Sequence, residues 1–179
     1  GGDRITVSSG TAPATGFLVA GQQQVFAITS AGVTQMDPKT GRTDALAASA
    51  GTVPTNCTFG AIYRDRLCLS GEDNAIYMSR QGKYSDWDHG AYFEDEGRAL
   101  AFQLALGANV GDKPTAIIPH KDRVMLCATT RSLWVVTGDP TSGTLRRVSE
   151  HIDIVSAKAW CKVEDTVFFL SEDGLYRVG

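Results

Sequence analysis

Apolar residues along this chain come in short runs of four to seven, separated by clusters of Gly, Asp, Asn and Pro. Runs of that length, rich in Val, Ile, Phe, Tyr and Trp, suit β-strands, whereas an amphipathic helix needs about ten residues of 3.6 periodicity. Three of them follow a charged turn: Arg64-Asp65-Arg66-Leu67-Cys68-Leu69, Lys121-Asp122-Arg123-Val124-Met125-Leu126 and Glu164-Asp165-Thr166-Val167-Phe168-Phe169. Gln23-Gln24-Val25-Phe26-Ala27-Ile28 is a more divergent copy. After a short polar turn each leads to a second strand with an apolar residue near its start, and these residues, Val33, Ile76, Leu133 and Leu175, are spaced by 43, 57 and 42. A period of about 40 to 50 residues in short strands is the signature of a β-propeller or a related repeat array.

The middle interval exceeds the others by about 15. The surplus is assigned to residues 92–112, a segment without a counterpart elsewhere, whose Ala- and Leu-rich second half predicts a short helix or an extra strand on an inserted arm. Two turns are nearly the same word, Asp37-Pro38-Lys39-Thr40-Gly41 and Asp139-Pro140-Thr141-Ser142-Gly143. Pro pre-sets the first turn position, Asp bonds to the backbone ahead and Gly takes the positive φ, so both predict a hairpin. The expected fold is therefore all-β, a β-propeller with four antiparallel blades over 9–48, 55–90, 113–149 and 155–179, as a whole propeller or part of a larger one. Residues 4–8 form one more strand, which either completes the fourth blade or ends a preceding one. A start without Met and a stop directly after a strand-like run suggest a segment of a longer polypeptide.

Composition narrows the function classes. A chain of 179 residues, 42% hydrophobic and 21% charged, can bury a core and lacks the signature of disorder. A formal charge of −3 with no Lys/Arg run gives no attraction to nucleic acid or to anionic membranes, and no stretch approaches the roughly 18 to 20 apolar residues of a membrane span. Cys57, Cys68, Cys127 and Cys161 form no C-x-x-C pair and read as small buried hydrophobes in a reducing compartment.

Candidate chemistry is sparse. Asp86-Trp87-Asp88-His89 and Glu94-Asp95-Glu96 are the dense acidic clusters, but neither follows a calcium-loop pattern, and both read as solvated surface. A glycan-cleaving site would require Asp86, Asp88, Glu94 and Glu96 to converge. His89, His120 and His151 lie far apart, without H-E-x-x-H spacing, and read as polar loop residues; no serine sits in a G-x-S-x-G elbow. No catalytic residue, metal or cofactor is expected. The aromatic residues Tyr63, Tyr77, Trp134, Phe168, Phe169 and Tyr176 are expected between blades. Trp87, in a turn, is expected to be exposed. Loops on a rigid scaffold usually carry binding, so Trp87, Asp88, Tyr92 and Phe93 are the candidate partner contacts.

Two resemblances follow from particular runs. Ser79-Arg80-Gln81-Gly82-Lys83-Tyr84-Ser85-Asp86-Trp87 faintly resembles the Asp-box turn of sialidase propellers, with Gln81 in place of its Asp and the Gly one residue early; that turn is structural. Tyr63-Arg64-Asp65-Arg66-Leu67-Cys68-Leu69-Ser70-Gly71, Asn74-Ala75-Ile76-Tyr77-Met78-Ser79-Arg80 and Ser85-Asp86-Trp87-Asp88 resemble the strands of bacteriophage tail tubular or hub (nozzle) proteins. Ser132-Leu133-Trp134-Val135-Val136-Thr137-Gly138 and Phe169-Leu170-Ser171-Glu172-Asp173-Gly174-Leu175-Tyr176 resemble later strands of that family. The likeness covers residues 56–179; 1–53 is generic propeller sequence, and 92–112 has no match in the family. It implies a structural virion protein in the tail, assembled in the host cytoplasm as a homo-oligomer and contacting portal, adaptor or other tail proteins, with no catalytic residues. The competing expectations are a cellular propeller that binds a protein or carbohydrate ligand and a glycan-cleaving propeller.

Overall fold

The repeat period becomes four antiparallel sheets in the computed structural model, which describes residues 16–71, 75–90, 93–104 and 112–179. Blade one is β1 (Phe17–Gly21), β2 (Gln24–Thr29), β3 (Gly32–Met36) and β4 (Thr43–Ala45), paired in that order, and the two-residue β5 (Ala50–Gly51) follows it. Blade two is β6 (Gly60–Tyr63), β7 (Arg66–Ser70) and β8 (Ala75–Met78), then, beyond the short β9 (Asp86–Trp87), its outer strand β10 (Leu100–Gln103). Blade three is β11 (Pro114–His120), β12 (Val124–Thr129), β13 (Leu133–Thr137) and β14 (Thr144–Ser149). Blade four holds three described strands, β15 (Trp160–Val163), β16 (Thr166–Ser171) and β17 (Gly174–Val178). No described residue is helical.

The charged turns are the hairpins between first and second strands. Two-residue loops of this kind need positive φ at their centre to match the twist of the strands. Gln22 and Gln23 (φ 47° and 61°) and Arg64 and Asp65 (47° and 58°) supply it at both positions without glycine, Glu164 (51°) supplies it at the first position of its loop, and Lys121 (56°) opens a three-residue loop, 121–123, in the same way. Part of that strain is offset at Asp65, whose carboxylate accepts both Gln22 Nε2 (2.7 Å) and Tyr84 Oη (3.0 Å). The two Asp-Pro turns lie between third and outer strands as expected, with Asp37 Oδ1 accepting Lys39 N (2.8 Å) and Asp139 Oδ1 accepting Thr141 N (3.0 Å).

A single sheet cannot cover both its faces, and each blade buries its neighbour's. Between blades one and two, Phe26, Ile28 and Val33 meet Leu67, Leu69, Tyr84 and Trp87. Between two and three, Tyr63, Ile76 and Met78 meet Ile117, Met125 and Val136. Between three and four, Ile118, Leu126 and Leu133 meet Val167 and Phe169. Each fully buried side chain of this size contributes about 1.5–3 kcal/mol. A second device recurs at the opposite rim. Asp112, just before β11, accepts the hydroxyls of Thr129 (2.8 Å) and Thr130 (2.7 Å) on the β12–β13 turn. Asp153, ahead of β15, likewise holds Ser171 and the Glu172 amide (3.1 Å) on the β16–β17 turn.

Several expectations need correction. The segment 92–112 is not an insertion throughout, because Leu100–Gln103 pairs with Ala75–Met78 as the outer strand of blade two; of the helix and the strand expected there, cross-strand pairing selects the strand. The surplus is instead the long connection from β8 to β10. Cys161 is exposed, unlike the buried Cys57, Cys68 and Cys127. Phe168 points away from blade three and belongs to none of the described inter-blade clusters. His120 is not a loop residue: it closes β11, is buried, and its Nδ1 has no hydrogen-bond partner among the described residues. Residues 4–8 and the start of the first expected blade lie outside the described residues.

Candidate functional site

The long β8–β10 connection folds back over the rim formed by the first-hairpin turns, and a buried arginine fixes it there. Arg66 opens β7 with no solvent exposure. Its Nη1 donates to the carbonyls of Ser79 (3.1 Å), Gly97 (3.2 Å) and Arg98, and its Nη2 to the carbonyl of Glu96 (2.7 Å). Nε has no partner. Backbone carbonyls that would otherwise lie dry and unpaired thus share one guanidinium, whose planar fork suits several acceptors at once. Asp139, at the β13–β14 turn of blade three, is the counter-charge, 3.9 Å from Arg66 and 3.3 Å from Arg64. Burial works to raise the Asp139 carboxyl, but hydrogen bonds from Thr141 and the two guanidinium groups outweigh it and hold the pKa below the ordinary carboxylate value. Tyr63 Oη donates to the Gly138 carbonyl (2.8 Å), and burial pushes that phenol up to about 12.

More contacts tie the connection down. Gly82 N donates to the Asp65 carbonyl (2.8 Å), Thr141 Oγ1 to the Glu96 carbonyl (3.1 Å), and Arg80 pairs with Asp95. The Gly97 amide and then Arg80 keep the Asp95 carboxyl below its usual range despite some desolvation. On this fixed loop Phe93 stands 88% exposed. Arg98 holds it from below, donating to the Phe93 carbonyl (2.7 Å) with the guanidinium carbon 5.4 Å from the ring centroid.

The four candidate contact residues separate. Phe93 is presented to solvent and Asp88 is exposed in the same connection, where it caps the Gly90 amide (3.0 Å). Trp87 is the opposite of the expectation: it is 1% exposed in the core between blades one and two, because β9 pairs in parallel with β5 and draws the indole inward. Its Nε1 has no partner among the described residues. Tyr92 lies outside the described residues. The stretch from Ser79 to Trp87 is a turn bridged between Arg80 and Lys83 that leads into β9. Of the carboxylates a glycan-cleaving site would need, Asp86 is buried beside Lys83 (3.7 Å) and accepts the Asp88 amide (3.2 Å), while Glu94 and Glu96 are exposed. Among the described residues no group of His, Cys, Asp or Glu is placed to hold a metal, and no helix is long and apolar enough to cross a membrane.

Sequence reasoning missed Arg66, which it placed in a charged turn. No sequence signal singles it out, because the matching word of the next unit, Lys121-Asp122-Arg123, also ends in arginine; only the strand bounds separate the two, with β12 opening at Val124 and β7 at Arg66. A separate cleft of about 270 Å³ lies between the rims of blades three and four, lined by Arg131, Glu150, His151, Glu172, Asp173 and the Asp153 latch.

No protein-family model matches the chain, and no curated protein matches it by sequence. Similar solved structures identify the fold. The computationally designed Ika4 protein matches with a TM-score of 0.58 at 14% identity, over 99% of both chains. BamB from Moraxella catarrhalis matches with a TM-score of 0.52 at 14% identity, over 90% of this chain and 45% of BamB. The β-propeller domain of Cps50 (Swd1) from Myceliophteria thermophila matches with a TM-score of 0.52 at 8% identity, over 87% of this chain and 50% of that one. The chain is thus an all-β protein of the β-propeller fold, spanning about half the length of these two natural propellers.

Proposed function

We propose that this propeller is a structural, non-enzymatic binding module that docks a protein partner through the β8–β10 connection. The observation that carries the reading is Phe93, an aromatic side chain 88% exposed on a loop whose backbone is fixed by the buried Arg66. Exposed aromatic anchors are the residues that dominate protein interfaces, and a loop already ordered spares the complex that entropy cost. The resemblance of residues 56–179 to phage tail hub proteins extends the proposal to a virion: a tail subunit whose partners are portal, adaptor or other tail proteins. Native mass spectrometry of the complete gene product, alone and with the portal and adaptor proteins of its own genome, tests this. A complex with them, and peptides of the chain in purified particles, are expected; a product that ignores them and is missing from particles overturns the virion reading.

The cleft between blades three and four favours a second reading, a propeller that binds a small polar ligand at its rim. Binding on a glycan array that is lost in Arg131→Ala would move the assignment there.

A further inference from the structure

We infer, building on the rim-ligand reading and independently of docking through Phe93, that the cleft between blades three and four binds a zwitterion of amino-acid size. The ligand's ammonium sits against Asp153, Glu172 and Asp173, and its carboxylate on Arg131.

Comparison of the two rim latches shows what is unusual here. In blade three Asp112 uses both carboxylate oxygens: Oδ2 accepts the hydroxyls of Thr129 (2.8 Å) and Ser132 (3.3 Å), and Oδ1 accepts that of Thr130 (2.7 Å). The equivalent turn of blade four reads Ser171-Glu172-Asp173-Gly174, so the hydroxyls of Thr130 and Ser132 have no counterpart there. Asp153 accordingly receives Ser171 Oγ and the Glu172 amide (3.1 Å), both on Oδ1. Its Oδ2 accepts no hydrogen bond among the described residues, and the residue, only 7% exposed, lines the cleft. A largely desolvated carboxylate oxygen without a donor is costly, so the site favours a ligand that brings N–H groups to it.

The rest of the lining decides what kind of donor. Glu172 and Asp173 stand exposed beside Asp153, and Tyr176, then Ser171, hold the Asp173 carboxyl below its ordinary range and so charged at neutral pH. Glu150 is already answered by Arg147. The negative excess draws a cation more strongly than a neutral sugar, and among the described residues no Phe, Tyr or Trp lines the cleft to stack a sugar ring. A bare metal ion fits less well, since among the described residues no set of His, Cys, Asp or Glu is placed to hold one. A primary ammonium instead spreads three N–H donors over separate acceptors. On the blade-three side Arg131 makes no ion pair among the described residues, and its planar fork suits a carboxylate on the same ligand. A cleft of about 270 Å³ holds the liquid volume of roughly nine waters at ~30 Å³ each, so the ligand has on the order of ten non-hydrogen atoms, as free amino acids do.

Calorimetric titration of the full chain with the free amino acids, each beside its decarboxylated amine, tests the inference, with a glycan array run in parallel. At least one amino acid should bind with a Kd below ~1 mM, and its amine at least about tenfold more weakly. Asp153→Asn keeps an acceptor for Ser171 and the Glu172 amide but turns an N–H2 group toward the ammonium, and should weaken binding about tenfold or more. Arg131→Ala and Glu172→Gln lie at exposed positions and should melt as wild type, so their effect on binding is separable from folding. Glu172→Gln should weaken the amino acid, and Arg131→Ala should bring amino acid and amine to the same affinity. An amine that binds wild type as tightly as its amino acid, or an amino-acid affinity that Arg131→Ala leaves unchanged, would overturn the inference. A glycan that binds the cleft where no amino acid does overturns the ligand class and leaves the rim-ligand reading standing; if neither binds, that reading falls with it.

Discussion

Replacing Arg66 with Met should detach the β8–β10 connection from the rim while leaving the blades stacked. The guanidinium donates to four carbonyls, of Ser79, Glu96, Gly97 and Arg98, and faces Asp139. Hydrogen bonds to a charged group are worth about 1.5–3 kcal/mol each, but four on one side chain are not additive. Glu96 lies at the surface, so water can replace part of what is lost. Asp139 keeps Thr141 and Arg64. Removing one partner from a buried ionic network costs about 3–5 kcal/mol, and the same range is expected here. For a chain of this size each kcal/mol shifts the melting temperature by ~2–4 °C, so thermal denaturation followed by circular dichroism should fall by roughly 10 °C. Hydrogen exchange should rise through residues 93–99 and remain slow in β7, and Arg66→Lys, which keeps the charge but not the fork, should fall between. A Met variant within about 1 kcal/mol of wild type, with exchange of the connection unchanged, would refute the anchoring role.

Gly51→Ala should lower the denaturant midpoint by the equivalent of about 2 kcal/mol or more, because φ is +66° there and a Cβ would lie 2.2 Å from the Trp87 carbonyl oxygen; an unchanged midpoint would contradict the β5–β9 pairing. Acid should loosen the junction of blades three and four at His120. Burial, and then Lys121 and Lys162, lower its pKa below the ordinary 6.5 against the pull of Asp165. A folded pKa below the unfolded one gives stability that is present above about pH 6.5 and lost as pH falls toward the folded value. The melting temperature should therefore drop between pH 7 and pH 5, and His120→Phe should flatten that slope, leaving a remainder to His89, whose pKa burial also lowers. Parallel curves for the two proteins would exclude His120.

Strand content and blade period were legible because every second residue of a repeat strand faces a neighbouring sheet, which forces short apolar runs at a fixed spacing. The Asp-Pro turns were legible for a local reason, since Asp and Gly act within five residues. Three things were not. The outer strand of blade two carries an Ala- and Leu-rich sequence that local propensity leaves open between a short helix and a strand, and its pairing with β8 decides for the strand. Trp87 sits in a turn, yet the parallel contact of β9 with β5, 36 residues away, carries it into the core. The site depended on Arg66, whose burial follows from where the carbonyls of residues 79 and 96–98 end up, a long-range outcome that no run of sequence encodes. Phe93 was named from its place on a loop and is exposed; Trp87 was named for the same reason and is not.

The claim that this connection is the docking element is tested most directly by calorimetric titration of the portal or adaptor partner against wild type and Phe93→Ala. Phe93 buries almost none of its surface within the chain, so the variant should melt within about 0.5 kcal/mol of wild type while losing 2 kcal/mol or more of binding, roughly a 30-fold weaker Kd. Equal affinity for the two proteins, with both fully folded, would contradict the account.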